Sequence, residues 1–184
     1  METEVLKKLF KKSQLFGSNS YGSQFDDIET YCEKGALIPT SIIIRKGLII
    51  DNLTFVYQEY SAVHGGRGGT LIETKLSQDD YIVKVSGTYG HFANQDLIET
   101  LTFTTKNGKV ISSEKSTSNK MDFEYVAEEG HHICALFGRA GYYLNSIGFY
   151  TLKQGFKMPE SKISTYQESK VSKYLECKLV KENT

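Results

Sequence analysis

Ser41-Ile42-Ile43-Ile44-Arg45-Lys46-Gly47-Leu48-Ile49-Ile50-Asp51-Asn52-Leu53-Thr54-Phe55-Val56-Tyr57 sets β-branched and aromatic residues on both sides of one glycine. That composition favours a pleated surface over a helix, and the glycine predicts a turn between two antiparallel strands. In the second strand Ile49, Leu53 and Phe55 share a face with Asp51, while Ile50 and Val56 fall on the other. A carboxylate on the apolar face breaks the alternation and calls for a bulge. Outward from this hairpin, further strands are expected at Leu71–Leu76, Tyr81–Gly87, Ile98–Thr105, Val110–Ser113, Ile133–Phe137 and Ser146–Leu152. Ser77-Gln78-Asp79-Asp80, Lys106-Asn107-Gly108-Lys109 and Glu128-Glu129-Gly130 separate them as turns. Strands at this spacing with no long helical window predict an all-β sandwich, barrel or prism.

The 184 residues are enough for one domain with a sizeable core. Twenty-two basic side chains balance 22 acidic ones, which removes the global attraction a nucleic-acid binder carries. No apolar window is long enough for a transmembrane helix. Met1 to Lys12 is charged throughout and lacks a secretory signal's apolar run, so cytoplasmic residence and export without a leader both stay open. Three pieces are expected: a basic amphipathic arm over 1–14, the body over 15–152, and a polar tail over 153–184 with seven lysines against four glutamates. Val5, Leu6, Leu9 and Phe10 have helical spacing among lysines, and such a segment fits a membrane surface, the chain's own body or a partner subunit.

Chemistry-bearing motifs are few. Cys32, Cys134 and Cys177 are odd in number and far apart, which argues against a disulfide framework or a structural zinc site. His132 and Cys134 could share a strand face, but two ligands do not close a metal site, and Cys134 reads as core. The adjacent pairs Asp26-Asp27, Asp79-Asp80 and Glu128-Glu129 do not face one another, and neither a GxSxG elbow nor a catalytic-cysteine signature occurs. Nothing specifies an enzyme, a cofactor or a metal. His64-Gly65-Gly66-Arg67-Gly68-Gly69 fails both phosphate-binding spacings and precedes the strand-like Thr70-Leu71-Ile72-Glu73, so it predicts a turn with positive φ. The segment Phe137–Tyr150 differs in kind. Gly138 and Gly141 permit a tight bend with exposed backbone N–H groups, and Tyr142, Tyr143 and Asn145 follow. Flat aromatic surface beside fixed donors and an acceptor is what a sugar requires.

In order along the chain, Gly22-Ser23-Gln24-Phe25-Asp26-Asp27, Ile42–Gly47 with Ile50–Leu53 and Tyr57, the 64–69 glycine turn, Tyr81–Gly87, Leu101–Thr105 and Phe137–Tyr150 resemble the jacalin-related (mannose-binding-type) lectin family. The resemblance covers about residues 15–152. It implies a β-prism I of three four-stranded antiparallel sheets with pseudo-threefold symmetry. It also implies binding of mannose-type or galactose-type sugars without metal or catalysis. The family site lies where an opening glycine loop, the loop after the Val-Ser-Gly strand and a Gly-x-x-x-Asp loop meet. By position this implicates Gly22, the loop 89–96 with Asn94, Gln95 and Asp96, and Gly141, Tyr142, Tyr143 and Asn145. The N–H groups of Tyr142 and Tyr143 would donate to sugar oxygens, with Asn145 in place of the family aspartate.

That replacement exchanges a charged two-oxygen acceptor for one carbonyl and one donor amide, a loss of about 1–3 kcal/mol. Single sugars held near millimolar have only about 4 kcal/mol to lose, so weak sites gain from oligomerisation, and a homo-oligomer is expected. Two readings follow: a carbohydrate-binding lectin domain, or a prism kept as a protein- or membrane-interaction module with a decayed sugar site. The Asn52-Leu53-Thr54 sequon falls inside a predicted strand.

Overall fold

The computed structural model describes residues 10–34, 38–92, 94–113 and 121–155. In chain order the elements are β1 (Lys11–Lys12), β2 (Phe16–Gly17), β3 (Ser23–Asp26), a helix α1 (Ile28–Glu33), β4 (Ser41–Lys46), β5 (Ile50–Val56), β6 (Ser61–Gly65) and β7 (Thr70–Lys75). Then come β8 (Ile82–Phe92), β9 (Gln95–Thr105), β10 (Val110–Ser112), β11 (Met121–Val126), β12 (His131–Ala140) and β13 (Leu144–Lys153).

They form three antiparallel sheets, ordered β6-β5-β4-β7, β10-β9-β8-β11 and β1-β13-β12-β3, with β2 also on β13. β1 and β2 are two pieces of one edge, because Lys11 and Lys12 pair with Thr151 and Tyr150 while Phe16 and Gly17 pair with Ile147 and Ser146. Each sheet therefore has four positions and follows one plan. A hairpin (β4–β5, β8–β9, β12–β13) is flanked by one strand beside its second member and another beside its first. In the third sheet those flanking strands come from the start of the chain, so the unit closes N-terminal residues onto C-terminal ones. This is the pseudo-threefold prism, and it places Phe10 to Gln14 differently from an arm. Phe10 is buried, Lys11–Lys12 is edge strand, and Ser13 N–H donates to Phe149 O at 2.9 Å. Residues 1–9 and the tail from 156 lie outside the described residues.

The core sits on the axis. Phe55, Phe103 and Phe149 come one from each sheet and are fully buried. The Phe55 and Phe103 rings meet edge to face at 5.8 Å. Each such side chain contributes about 1.5–3 kcal/mol by leaving water. The predicted strands are all present, and the bulge is real: Arg45 pairs with Asn52 but Lys46 with Ile50, so Asp51 is the extra residue. The extra residue turns its carboxylate out of the apolar face. Asn52 and Thr54 are buried and bonded to each other (Thr54 Oγ1 to Asn52 Oδ1, 2.8 Å), which leaves no room for a glycan at the sequon.

Besides the edge pieces β1 and β2 and the opening strand β3, three elements were not expected from periodicity. β6 and β11 alternate buried and exposed residues over only five and six positions. α1 occupies a segment with no long helical pattern; Ile28 and Tyr31, three apart, are buried, and Tyr31 lies edge-on to Phe10 at 5.8 Å. Cys134 is core as expected, the extra residue of a bulge between Ile133 and Ala135, and burial pushes its thiol pKa up. Among the described residues no three metal-ligating side chains cluster, and no helix is long and apolar enough to cross a membrane.

His132 stands out in β12. It is 4% exposed, neither ring nitrogen has a hydrogen-bond partner among the described residues, and Tyr81 lies edge-on at 5.8 Å. Burial first, then the neighbouring His131, pushes its pKa from 6.5 down to about 4. Between those values the unfolded chain binds the extra proton and the fold does not, so stability falls as pH drops from 6.5 towards 4. The loss attributable to this group is about 2–3 kcal/mol. His132→Phe keeps a ring against Tyr81 and removes the nitrogens. Urea unfolding at pH 7 and pH 4.5 is expected to show a much smaller acid loss for the variant than for wild type, and equal losses would contradict this role.

Candidate functional site

The β12–β13 hairpin turns through Gly141, Tyr142 and Tyr143, since Ala140 pairs directly with Leu144. A register shift between Arg139 and Ala140 brings the strands together there. Gly141 N–H donates to Tyr143 O at 3.0 Å and closes the bend. The amides of Tyr142 and Tyr143 lie outside the ladder, and neither donates to another backbone group among the described residues. Tyr142 is 87% exposed, Tyr143 half-buried, and Gly141 exposed. The bend is therefore an accessible ridge with two free donors and a phenol at its tip.

Asn145, one residue into β13, is only 2% exposed. Its Nδ2 donates to Gln95 Oε1 at 3.1 Å, which fixes the amide and leaves Oδ1 turned towards Gly22. Gly22 has φ +72°, and a Cβ there would stand 2.4 Å from Asn145 Oδ1 and 2.8 Å from the Ala140 carbonyl carbon. Only glycine lets the opening loop approach so closely. Arg139 holds that loop in place, donating from Nε to Tyr21 O (2.9 Å) and from Nη2 to Gly22 O (2.8 Å). Gly141 and Gly22 are also neighbours, with 3.8 Å between a Cβ built on Gly141 and the Gly22 Cα.

The structure thus brings Gly22, Gln95, Gly141, Tyr142, Tyr143 and Asn145 together. It treats the expected loop 89–96 differently, because Tyr89–Phe92 and Gln95–Asp96 belong to strands β8 and β9, with Phe92 paired to Gln95 across a tight turn. Asn94 sits exposed in that turn at φ +63°. Asp96 faces His91 across the hairpin (Oδ1 to Nδ1, 3.1 Å), and both are exposed. Of these three residues Gln95 is the one that accepts a hydrogen bond from Asn145.

A second loop of the same shape was not singled out in the sequence. Gly47-Leu48-Ile49-Ile50-Asp51 has the Gly-x-x-x-Asp pattern with its aspartate intact. Its geometry repeats the first loop element by element. Lys46 pairs with Ile50 at a register shift, Gly47 N–H donates to Ile49 O at 3.1 Å, and Leu48 is 74% exposed at the tip. Gly69 (φ +67°) plays the part of Gly22: a Cβ there would lie 2.6 Å from Asp51 Oδ2 and 2.5 Å from the Lys46 carbonyl carbon. Asp51 Oδ2 also accepts from Gly47 N–H at 2.8 Å. The signal was present in the spacing, hidden because Asp51 read as a flaw in a strand.

The glycine turn 64–69 joins the two loops. Its expected positive φ occurs at Gly65 and Gly69. His64 Nε2 lies 2.8 Å from Asp27 Oδ2 and its ring stacks on Phe25 at 3.6 Å, tying the turn to the strand that follows Gly22.

The family model for the jacalin-like lectin domain matches residues 13–150. Horcolin from Hordeum vulgare is 32% identical over 117 residues, spanning 60% of this chain and 79% of horcolin. The structure of wild-type Malaysian banana lectin superposes with a TM-score of 0.65 at 26% identity, covering 78% of this chain and 99% of the lectin. The Calsepa lectin, solved in complex with a biantennary N-glycan, superposes with a TM-score of 0.63 at 22% identity over 78% of this chain and 97% of that one. The match runs from the split edge strand through both glycine loops to the last strand, and the chain belongs to the jacalin-like lectin family, whose members are lectins rather than enzymes.

Proposed function

We propose that this chain binds carbohydrate without metal, seating a mannose- or galactose-type hexose on the 141–145 loop. The amides of Tyr142 and Tyr143 donate to ring and hydroxymethyl oxygens, Asn145 Oδ1 accepts from a hydroxyl, and the phenols cover the C–H face. The observation that carries this reading is the fixed orientation of Asn145: Gln95 takes its donor, so the acceptor faces the Gly22 loop as a carboxylate oxygen would. The close approach of Gly22 to Asn145 and the exposed tip at Tyr142 support a working site over a decayed one. A neutral acceptor makes weaker hydrogen bonds than a charged one, so affinity per site is low. The Gly47–Asp51 loop serves as a second site of the same design, with a carboxylate acceptor. Two sites on one chain, multiplied by self-association, gain avidity on branched glycans of about 10² to 10⁴. N-glycans of the kind bound by Calsepa fit that requirement.

A glycan array probed with the intact protein is expected to light up on mannose- or galactose-terminated structures, and a blank array contradicts the proposal. In calorimetry Asn145→Ala and Tyr142→Ala are each expected to weaken binding about tenfold or more while the fold persists. Gly22→Ala, strained in the left-handed region and clashing with Asn145, is expected to remove the first site and cost about 1–3 kcal/mol of stability. Sugar binding that survives all three substitutions together with Asp51→Ala would overturn the assignment.

A further inference from the structure

The turn His64-Gly65-Gly66-Arg67-Gly68-Gly69 is pressed between the two loops. A Cβ on Gly66 would lie 2.5 Å from Tyr142 O, one on Gly68 2.5 Å from Asp51 Oδ1, and one on Gly69 2.6 Å from Asp51 Oδ2. A Cβ on Gly65 would meet Asp51 O at 2.1 Å. Contact with both loops therefore holds four positions of the turn to glycine. Between Gly65 and Gly69 Arg67 alone carries a side chain, at an exposed position flanked by Gly66, which meets Tyr142, and Gly68, which meets Asp51. Beneath it, Arg45 donates from Nη1 to Arg67 O at 3.4 Å. Neither guanidinium has a carboxylate partner among the described residues: the ion pairs run through Lys11, Lys12, His64, Lys84 and His91. The nearby acid, Asp51, is buried and already accepts from Gly47.

We infer that Arg67, with Arg45 beneath it, is a subsite for an anionic group on an oligosaccharide, a carboxylate or sulfate carried on a sugar next to the one in the 141–145 loop. A guanidinium presents a planar fork that matches either group with two parallel hydrogen bonds. The inference rests on the sugar-binding reading, because the neutral hexose supplies the anchor and Arg67 adds preference for charge.

The test uses the full chain in calorimetry against mannotriose and a galactose trisaccharide. Each is offered neutral, with a single 6-O-sulfate, or with one C6 oxidised to a uronate. The acidic form is expected to bind about three- to tenfold tighter than its neutral parent at low ionic strength, with the advantage shrinking at 0.5 M salt. Arg67→Gln should erase that advantage and leave the neutral sugar's affinity unchanged. Comparison of the sulfate and uronate arms identifies which anion the site takes. Equal affinity for neutral and acidic forms, or a preference that survives Arg67→Gln, overturns the inference while leaving the lectin reading intact. Failure of every trisaccharide to bind overturns both.

Discussion

Asn145 is a polar side chain almost wholly withdrawn from water, and a buried amide is stable only where its hydrogen-bonding groups are used. Gln95, from a different sheet, accepts from Nδ2, and Gly22, with no side chain, lets the opening loop pack closely against Oδ1. The backbone of Asn145 is covered as well: its carbonyl accepts from Ser18 N–H at 3.1 Å and lies against Gly17, where a Cβ would come within 2.5 Å. Three separate stretches of chain thus converge on one residue. The split third sheet makes this convergence: β1, β2 and β3 bring the glycines from the start of the chain to a strand near its end, and closure of the prism brings β9 alongside. Loosening any of these contacts would expose the amide to water and dissolve the orientation on which the proposed recognition depends.

The same constraint appears a second time with different chemistry. In both hairpins a glycine with positive φ packs against the register shift, a glycine amide closes the bend, and an Asn or Asp occupies the fifth position. At the first loop the acceptor is neutral and its spare donor is satisfied by another sheet. At the second the acceptor is a carboxylate that bonds within its own loop. On the proposed reading, two sites of unequal character suit a branched or extended ligand better than a single sugar, and the turn carrying Arg67 touches both loops.

Much of the fold was legible because its central hairpins are local. The runs around Gly47 and from Tyr81 to Thr105 carry dense β-branched content next to turn residues, and neighbours in sequence pair in space. What could not be read depends on distant pairing. Lys11–Lys12 looks like part of a charged arm until Thr151 and Tyr150 supply its ladder, and β6 and β11 are too short for periodicity to distinguish from loop. That Gly22 meets Asn145 beside the Tyr142 bend was legible from motif and position. The role of Gln95 over Asn94 and Asp96 was not, since it depends on which side chain of a tight hairpin reaches across to another sheet. Asp51 was legible by half: its break in the alternation predicts the bulge, but the glycine cradle that receives its carboxylate comes from the distant Gly68 and Gly69.

The most direct measurement of the central claim is an ¹H–¹⁵N correlation spectrum of the intact protein titrated with mannotriose and with a galactose trisaccharide. Recognition through this bend predicts that the amide resonances of Tyr142 and Tyr143 and the side-chain NH₂ of Asn145 shift together and saturate with one of the sugars. Saturating shifts confined to other parts of the molecule, with those resonances unmoved, would contradict it.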